Sequence, residues 1–150
     1  MIRVVVDTNV LVRYLIRPGA ATRGLIEEAW VAEEFLMVTS PQLIEELEDV
    51  LARPRIQALV PLESAVVLVE MIRERAELVE APDVVPSYTR DPKDDMFVAC
   101  AIAGRANFLV TEDLDLLVLD GLMDVRMVTP YGFIRVSRDA PSTGAEEGDG

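Results

Sequence analysis

The stretch "VVVDTNVLV", residues 4–12, decides the fold of this chain. Val4, Val5 and Val6 are β-branched, and such a run is typical of a strand that is covered on both faces of a parallel sheet. Asp7 then places a carboxylate at the end of this buried strand. That carboxylate costs free energy unless a cation, hydrogen-bond donors or solvent pair with it. The rest of the chain has to supply one of these partners.

Short β-rich runs alternate with longer helical patterns along residues 1–138. The predicted strands are Arg3–Val6, Phe35–Val38, Ala76–Val79, Asn107–Val110 and Val125–Val128. The predicted helices are Val10–Ile16, Ala20–Glu34, Pro41–Ala52, Leu62–Ala76, Pro92–Ala103, Leu114–Leu117 and Tyr131–Val136. This alternation predicts one α/β domain, a three-layer α/β/α sandwich with a central parallel sheet of four or five strands. Residues 139–150 are acidic and lack any large apolar side chain, so we expect a disordered tail there.

The composition restricts the chemistry that the chain can perform. It has no histidine and one cysteine, Cys100, which excludes Ser-His and Cys-His nucleophilic catalysis and histidine or thiolate zinc sites. A metal would have to bind through oxygen, and this selects hard cations such as Mg²⁺ or Mn²⁺. The net charge of −13 disfavours non-specific binding of nucleic acid, so such a substrate would need a metal or a local cluster of arginines.

Three features of the sequence indicate where in the cell the protein is located. No apolar run approaches the ~18 residues of a membrane-spanning helix. The chain passes from Met1 directly into the first predicted strand, without the basic and apolar regions of a secretory signal. With a single cysteine there is also no internal disulfide. We therefore expect a cytoplasmic protein that has no membrane partner.

Acidic residues follow two of the predicted strands at the point where each strand ends. Asp7 follows the first strand, and Asp113 and Asp115 follow the strand Asn107–Val110. In an open parallel sheet, ligands bind beyond the carboxyl ends of the strands. We therefore expect these carboxylates to lie near one another at that edge of the sheet.

A further acid leads into the predicted helix Pro92–Ala103. Helix capping and the helix dipole account for Asp91 and Asp94 without any function. Asp95 is different, because it shares a face with Ala99 in a helix that is apolar all round and therefore buried. A carboxylate at that position requires a partner, so Asp95 is the candidate from this helix.

The helix Pro41–Ala52 can supply a fourth acid. Its apolar residues form one stripe, and Glu46 and Glu48 flank this stripe on opposite sides. Periodicity alone does not choose between these two glutamates.

Four segments of the chain, in order and spacing, resemble the PIN-domain family. They are "VVVDTNVLV" (4–12), "LIEELEDVLARP" (43–54), "RDPKDDMFVACAIAGRANFLVTEDLDLL" (90–117) and "VTPYGFI" (128–134). The likeness covers Ile2 to about Val136 and is greatest to the bacterial branch of toxin components of toxin–antitoxin pairs. By this resemblance the family's motif acids fall on Asp7, Glu46, Asp95 and Asp113. Its accompanying polar positions fall on Asn9, Thr111 and Asp115.

The resemblance implies a metal-dependent endoribonuclease that hydrolyses phosphodiester bonds of RNA with Mg²⁺ or Mn²⁺. Asp7, Asp95 and Asp113 would then bind the metal, since a divalent cation keeps neighbouring carboxylates ionised. Glu46 would orient the attacking water or complete a second metal site. Contacts from Asn9, Thr111 and Asp115 would fix the orientation of the carboxylates. The resemblance also implies a toxin role with an antitoxin as partner, and a homodimer.

Arginines are the candidates for contact with RNA phosphates. Thirteen of the fourteen basic residues are arginine, whose planar guanidinium suits phosphate recognition. Arg13 and Arg17 lie four residues apart on the helix that follows Asp7. Further candidates are Arg53, Arg55 and Arg90.

Two other functions are compatible with a cluster of acids. A non-catalytic module that binds nucleic acid or protein could use the same scaffold and keep the acids as relics. A phosphoryl-accepting receiver domain would need a lysine after its last strand. It is disfavoured because the only lysine, Lys93, lies at a helix start.

Overall fold

The computed structural model describes residues 1–82 and 85–139. Its strands form one parallel sheet in the order β3-β2-β1-β4-β5. The strands are β1 (Arg3–Val6), β2 (Leu36–Thr39), β3 (Glu77–Leu78), β4 (Phe108–Val110) and β5 (Arg126–Val128). The central strand is β1, which pairs with β2 on one side and β4 on the other, with Val6 opposite Val110. The sheet therefore brings the carboxyl ends of β1 and β4 side by side.

Eight α-helices connect and cover these strands within the described residues. They are α1 (Thr8–Ile16), α2 (Ala20–Arg23), α3 (Pro41–Leu51), α4 (Pro54–Gln57), α5 (Leu62–Arg75), α6 (Pro92–Ala103), α7 (Leu114–Leu117) and α8 (Pro130–Asp139). A π-helical segment (Gly24–Trp30) continues α2, and a 3-10 turn (Leu122–Asp124) precedes β5. None of the helices in this part of the chain is long and apolar enough to span a bilayer.

The valines of β1 face opposite layers of the structure. Val4 and Val6 belong to a core formed with α1, the π-helical segment, α3, α5 and α8. Val5 belongs to a second core formed mainly with α6 and α7. Because successive side chains of a strand point to opposite faces, both faces of β1 need apolar residues, which explains the unbroken valine run. The predicted three-layer α/β/α sandwich with a parallel sheet is confirmed.

Some local elements differ from the sequence-based expectation. The predicted helix Ala20–Glu34 is α-helical only as far as Arg23 and continues as wider π turns. The short helix α4 and the 3-10 turn before β5 had not been predicted. Asp139 belongs to α8, and the rest of the predicted disordered tail, residues 140–150, lies outside the described residues.

Gly104, directly after α6, lies where the packing leaves no room for a side chain. A Cβ there would lie 2.5 Å from Val38 Cγ1 and 3.1 Å from the carbonyl oxygen of Cys100. Val38 is fully buried and branched at Cβ, so it cannot move aside at low cost. We expect Gly104→Ala to lower the free energy of unfolding by about 2 kcal/mol, a fall in Tm of roughly 4–8 °C. Thermal or urea denaturation measures this change.

The matched control is Gly19→Ala, because an added Cβ at Gly19 meets nothing within 4 Å. Its denaturation midpoint should stay close to that of the wild type. Equal midpoints for the two variants would contradict the packing argument.

Candidate metal centre

Asp7 lies between β1 and α1, where it caps the helix. Its Oδ1 accepts the backbone N–H of Asn9 at 3.1 Å, and its Oδ2 accepts the hydroxyl of Thr111 at 2.7 Å. The residue is only 4% exposed. Burial raises the pKa of Asp7, the two hydrogen bonds lower it, and the carboxylates of Asp113 and Glu112 raise it further, so that the net shift is upward. No ion pair with Asp7 occurs among residues 1–82 and 85–139. The two hydrogen bonds to its carboxylate therefore do not supply a counter-ion for the negative charge.

Thr111 connects Asp7 to the end of β4. Its hydroxyl donates to Asp7 and accepts the backbone N–H of Asp113 at 3.0 Å, and Thr111 itself is fully buried. Asp113 in turn caps α7, since its Oδ1 accepts the backbone N–H of Asp115 at 2.8 Å. These hydrogen bonds fix the carboxylates of Asp7 and Asp113 relative to each other across the adjacent ends of β1 and β4.

Asp94 is the acid of α6 that lies beside Asp113. One carboxylate oxygen from each of Asp94, Asp113 and Asp115 lies within 4.8 Å of the other two. We call these three residues the acidic cluster. Partial burial, a side-chain hydrogen bond with Asp113 and the charge of Asp113 raise the pKa of Asp94 to about 7, and Asp91 and Asp7 act in the same direction. Carboxylates this close retain a proton near neutral pH unless a cation takes its place. A set of converging carboxylate oxygens fits a hard divalent cation.

Asp95 lies next to the acidic cluster in sequence, but its carboxylate contacts a loop instead. Its Oδ1 accepts the backbone N–H groups of Tyr88 (2.9 Å) and Thr89 (2.7 Å) and the Thr89 hydroxyl (3.0 Å). The residue is 6% exposed. The sequence and its resemblance assign Asp95 to the metal and Asp94 to helix capping. In the structure, the partners of Asp95 Oδ1 are two amides and a hydroxyl of the loop, an oxygen of Asp94 lies in the acidic cluster, and Asp91 caps α6.

Glu46 and Glu48 flank the apolar stripe of α3, and Glu46 is the one that lies beside α6. Its Oε2 is 3.9 Å from Nζ of Lys93, in the first turn of α6, and its side chain is 23% exposed. Glu48 pairs with Arg73 of α5 at 3.1 Å, on another side of α3. Glu46 therefore lies beside the first turn of α6 and is not a member of the acidic cluster.

An open cleft of about 590 Å³ extends from the acids along α1. Its lining residues are Asp7, Asn9, Val12, Arg13, Ile16, Arg17, Glu112 and Asp113. Arg13 Nε lies 3.5 Å from Glu112 Oε1 at the cleft wall. The cleft is thus lined both by carboxylates and by two arginines of α1, and Arg13 is paired with one of these carboxylates, whereas Arg53 and Arg55 do not line it.

Arg90 approaches the acidic cluster from the loop before α6. Its Nη2 donates to Asp115 Oδ1 at 3.0 Å and to Oδ2 at 3.3 Å, and its Nε donates to Oδ2 at 3.3 Å. The carboxylates of Asp115 and, to a lesser degree, Asp113 raise the pKa of Arg90. The sequence makes Arg90 a candidate for contact with RNA phosphates. In the structure its partner is Asp115, an acid of the cluster.

The raised pKa of Asp94 gives the metal-free protein a specific pH dependence. Because the pKa is about 7 in the folded state and lower in the unfolded chain, the folded state binds this proton more tightly. Its stabilising contribution is present below the unfolded pKa and is lost as pH rises through about 7. Asp94 is only partly buried, so water screens the effect and we expect a loss on the order of 1 kcal/mol. Calorimetric melting in EDTA from pH 5 to pH 8 measures it.

Asp94→Asn is the control for this pH dependence, because it removes the titrating group. The variant should lose less stability than the wild type between pH 5 and pH 8. Parallel stability curves for the two proteins would contradict a raised pKa at Asp94.

Comparison with known proteins agrees with this geometry. The family model described as "PIN domain" matches residues 3–115, a range that contains Asp7, Glu46 and all members of the acidic cluster. The chain is 26% identical over 118 residues to an uncharacterized protein of Methanocaldococcus jannaschii, which covers 79% of this chain and 75% of that protein. PIN domains are generally nucleases that typically use divalent metals. Because the family match spans most of the chain and includes the acidic cluster, this protein belongs to the PIN-domain family.

Proposed function

We propose that this PIN domain is a divalent-metal-dependent endoribonuclease. The observation that carries the proposal is the acidic cluster together with Asp7. Asp7 and Asp113 follow the carboxyl ends of adjacent parallel strands and line an open cleft, and Asp94 and Asp115 each place an oxygen near Asp113. This is the edge of an open α/β sheet at which ligands bind. Burial and neighbouring carboxylates raise the pKa values of Asp7 and Asp94, and shifts of this kind are frequent at functional sites.

The acidic cluster would hold Mg²⁺ or Mn²⁺, with Asp7 as a further ligand. A bound cation supplies Lewis acidity at the phosphodiester and a bound water of lowered pKa. Asp94 takes the ligand role that the family resemblance placed on Asp95, because the oxygens of Asp94 are the ones that lie with those of Asp113. Thr111 keeps the Asp7 carboxylate in one orientation, as a partner outside the metal ligands does.

Glu46 has a separate part in this proposal. It lies beside the first turn of α6, where Lys93 Nζ is 3.9 Å from its Oε2. Its carboxylate would accept a proton from the water that attacks the phosphorus.

RNA would lie along α1 in the cleft. Arg13 and Arg17 line the cleft together with the acids and would contact phosphates that flank the scissile one, as a guanidinium does with two parallel hydrogen bonds. Arg13 would exchange its exposed partner Glu112 for phosphate, which costs little because exposed ion pairs are weak.

The experiment is a cleavage assay on a panel of single-stranded RNA, structured RNA and DNA. It is run in Mg²⁺, in Mn²⁺ and in EDTA, with wild type, Asp7→Asn and Asp94→Asn. We expect RNA to be cut only with metal and only by the wild type. A folded protein that neither cuts RNA nor binds metal by calorimetry would overturn the proposal in favour of a non-catalytic binding module.

The toxin role, the antitoxin partner, the homodimer and the cytoplasmic location stay predictions from the sequence and its resemblance. Inducible expression in a bacterial host tests the toxin role. Wild type should arrest growth, and Asp7→Asn at equal protein level should not. Sedimentation of the purified protein tests the homodimer.

A further inference from the structure

The positively charged side chain of Arg90 forms an ion pair with one of the acids of the site. Its guanidinium contacts both oxygens of Asp115, and Asp115 is a member of the acidic cluster. The guanidinium takes up lone pairs on both oxygens of Asp115 and part of its negative charge, so it competes with a divalent cation for this carboxylate. A guanidinium and a divalent cation at adjacent positions also repel each other.

The loop fixes the backbone of Arg90 and leaves its side chain accessible. On one side, Thr89 and Tyr88 donate three hydrogen bonds to buried Asp95. On the other side, the Asp91 backbone N–H donates to the Thr89 hydroxyl at 3.0 Å. The Arg90 side chain is nevertheless 84% exposed, so it has room to leave Asp115 while its Cα stays beside the cluster. Asp95 is thereby a positioning residue for Arg90.

We propose that Arg90 is a resident counter-cation of the acidic cluster. It neutralises Asp115 in the metal-free protein, is displaced from Asp115 when a divalent cation binds, and then contacts a phosphate of the bound RNA. This inference rests on the proposed nuclease function. The guanidinium geometry that suits a carboxylate equally suits phosphate, so one side chain serves both states.

Isothermal titration of purified protein with Mn²⁺, at fixed pH and ionic strength, tests the first part. Arg90→Gln removes a competing positive charge, so we expect it to bind Mn²⁺ about threefold to tenfold more tightly than the wild type. Arg126→Gln is the matched control. It makes the same charge change at an arginine that pairs with Asp120 at 2.9 Å, beside the amino end of β5. Its Mn²⁺ affinity should equal that of the wild type. Unchanged or weaker Mn²⁺ binding by Arg90→Gln would overturn the inference.

Cleavage of single-stranded RNA at saturating Mn²⁺ tests the second part. Arg90→Gln should raise KM by about threefold to tenfold, by more than it lowers kcat, since a phosphate contact is lost. Wild type that binds no Mn²⁺ would reject the proposed function and this inference together. Wild type that binds Mn²⁺ and cuts RNA, with an Arg90→Gln variant of identical affinity and KM, would reject this inference alone.

Discussion

Asp94→Asn is expected to abolish Mn²⁺ binding and to lower RNA cleavage by about a thousandfold or more, whereas Asp95→Asn keeps both within about tenfold of the wild type. The two residues are neighbours in sequence, and their carboxylates have different partners. Asp94 contributes a carboxylate oxygen to the acidic cluster. In Asp94→Asn the side-chain amide offers only a neutral oxygen in place of this charged ligand. Asp95 accepts all three of its hydrogen bonds at Oδ1. The carbonyl oxygen of asparagine has two lone pairs and can still accept the two backbone N–H groups.

Titration calorimetry with Mn²⁺ and single-turnover cleavage measure the two variants. Asp95→Ala is the companion variant for the loop, because it leaves the N–H groups of Tyr88 and Thr89 without their acceptor. We expect it to lose about 2–4 kcal/mol of stability in denaturation, which Asp95→Asn mostly retains. The opposite ranking, with Asp95→Asn inactive and Asp94→Asn active, would restore the assignment made from the sequence.

The neighbours Asp94 and Asp95 show how far helical periodicity can predict which acid of a helix joins a site. Both residues lie in the first turn of α6, and the apolar side chains all round this helix give no single face from which to judge direction. The requirement that buried Asp95 must have a partner was correctly predicted from burial. The partner was not predictable, because it is the backbone of a loop that has no periodic pattern. One usable signal existed, since Asp91 already fits the cap position and leaves Asp94 without that role.

The sheet was predictable for a physical reason that does not extend to contacts between helices. A β-branched run with an acid at its end specifies both a buried strand and the edge of the sheet to which the acid belongs, as with Val4–Val6 and Asp7. The choice between Glu46 and Glu48 depends instead on which helix packs on which side of α3, and only the structure shows Lys93 on one side and Arg73 on the other. The π turns of Gly24–Trp30 escaped prediction because their apolar spacing also fits an α-helix.

Thr111 is the other position at which a small change is expected to have a large effect. Its hydroxyl donates to Asp7 Oδ2 at 2.7 Å and accepts the Asp113 N–H at 3.0 Å, in a fully buried position. Thr111→Val keeps the shape of the side chain but removes both hydrogen bonds, and it leaves a buried carboxylate oxygen without its donor. We expect a loss of about 2–4 kcal/mol in the free energy of unfolding. We also expect metal affinity and activity to fall by roughly 10–100-fold, the usual effect of removing a partner that orients a metal ligand.

Thr111→Ser separates the hydroxyl from the methyl group. Serine retains the oxygen that bridges Asp7 and Asp113, so its metal affinity should stay within about threefold of the wild type, although the lost methyl group costs about 1 kcal/mol of stability. Chemical denaturation and Mn²⁺ calorimetry on the same preparations give both quantities. If the valine variant bound Mn²⁺ as tightly as the serine variant, the hydroxyl would have no part in orienting Asp7. The fixed geometry of the site would then have to come from the burial of Asp7 and from its hydrogen bond with the Asn9 backbone.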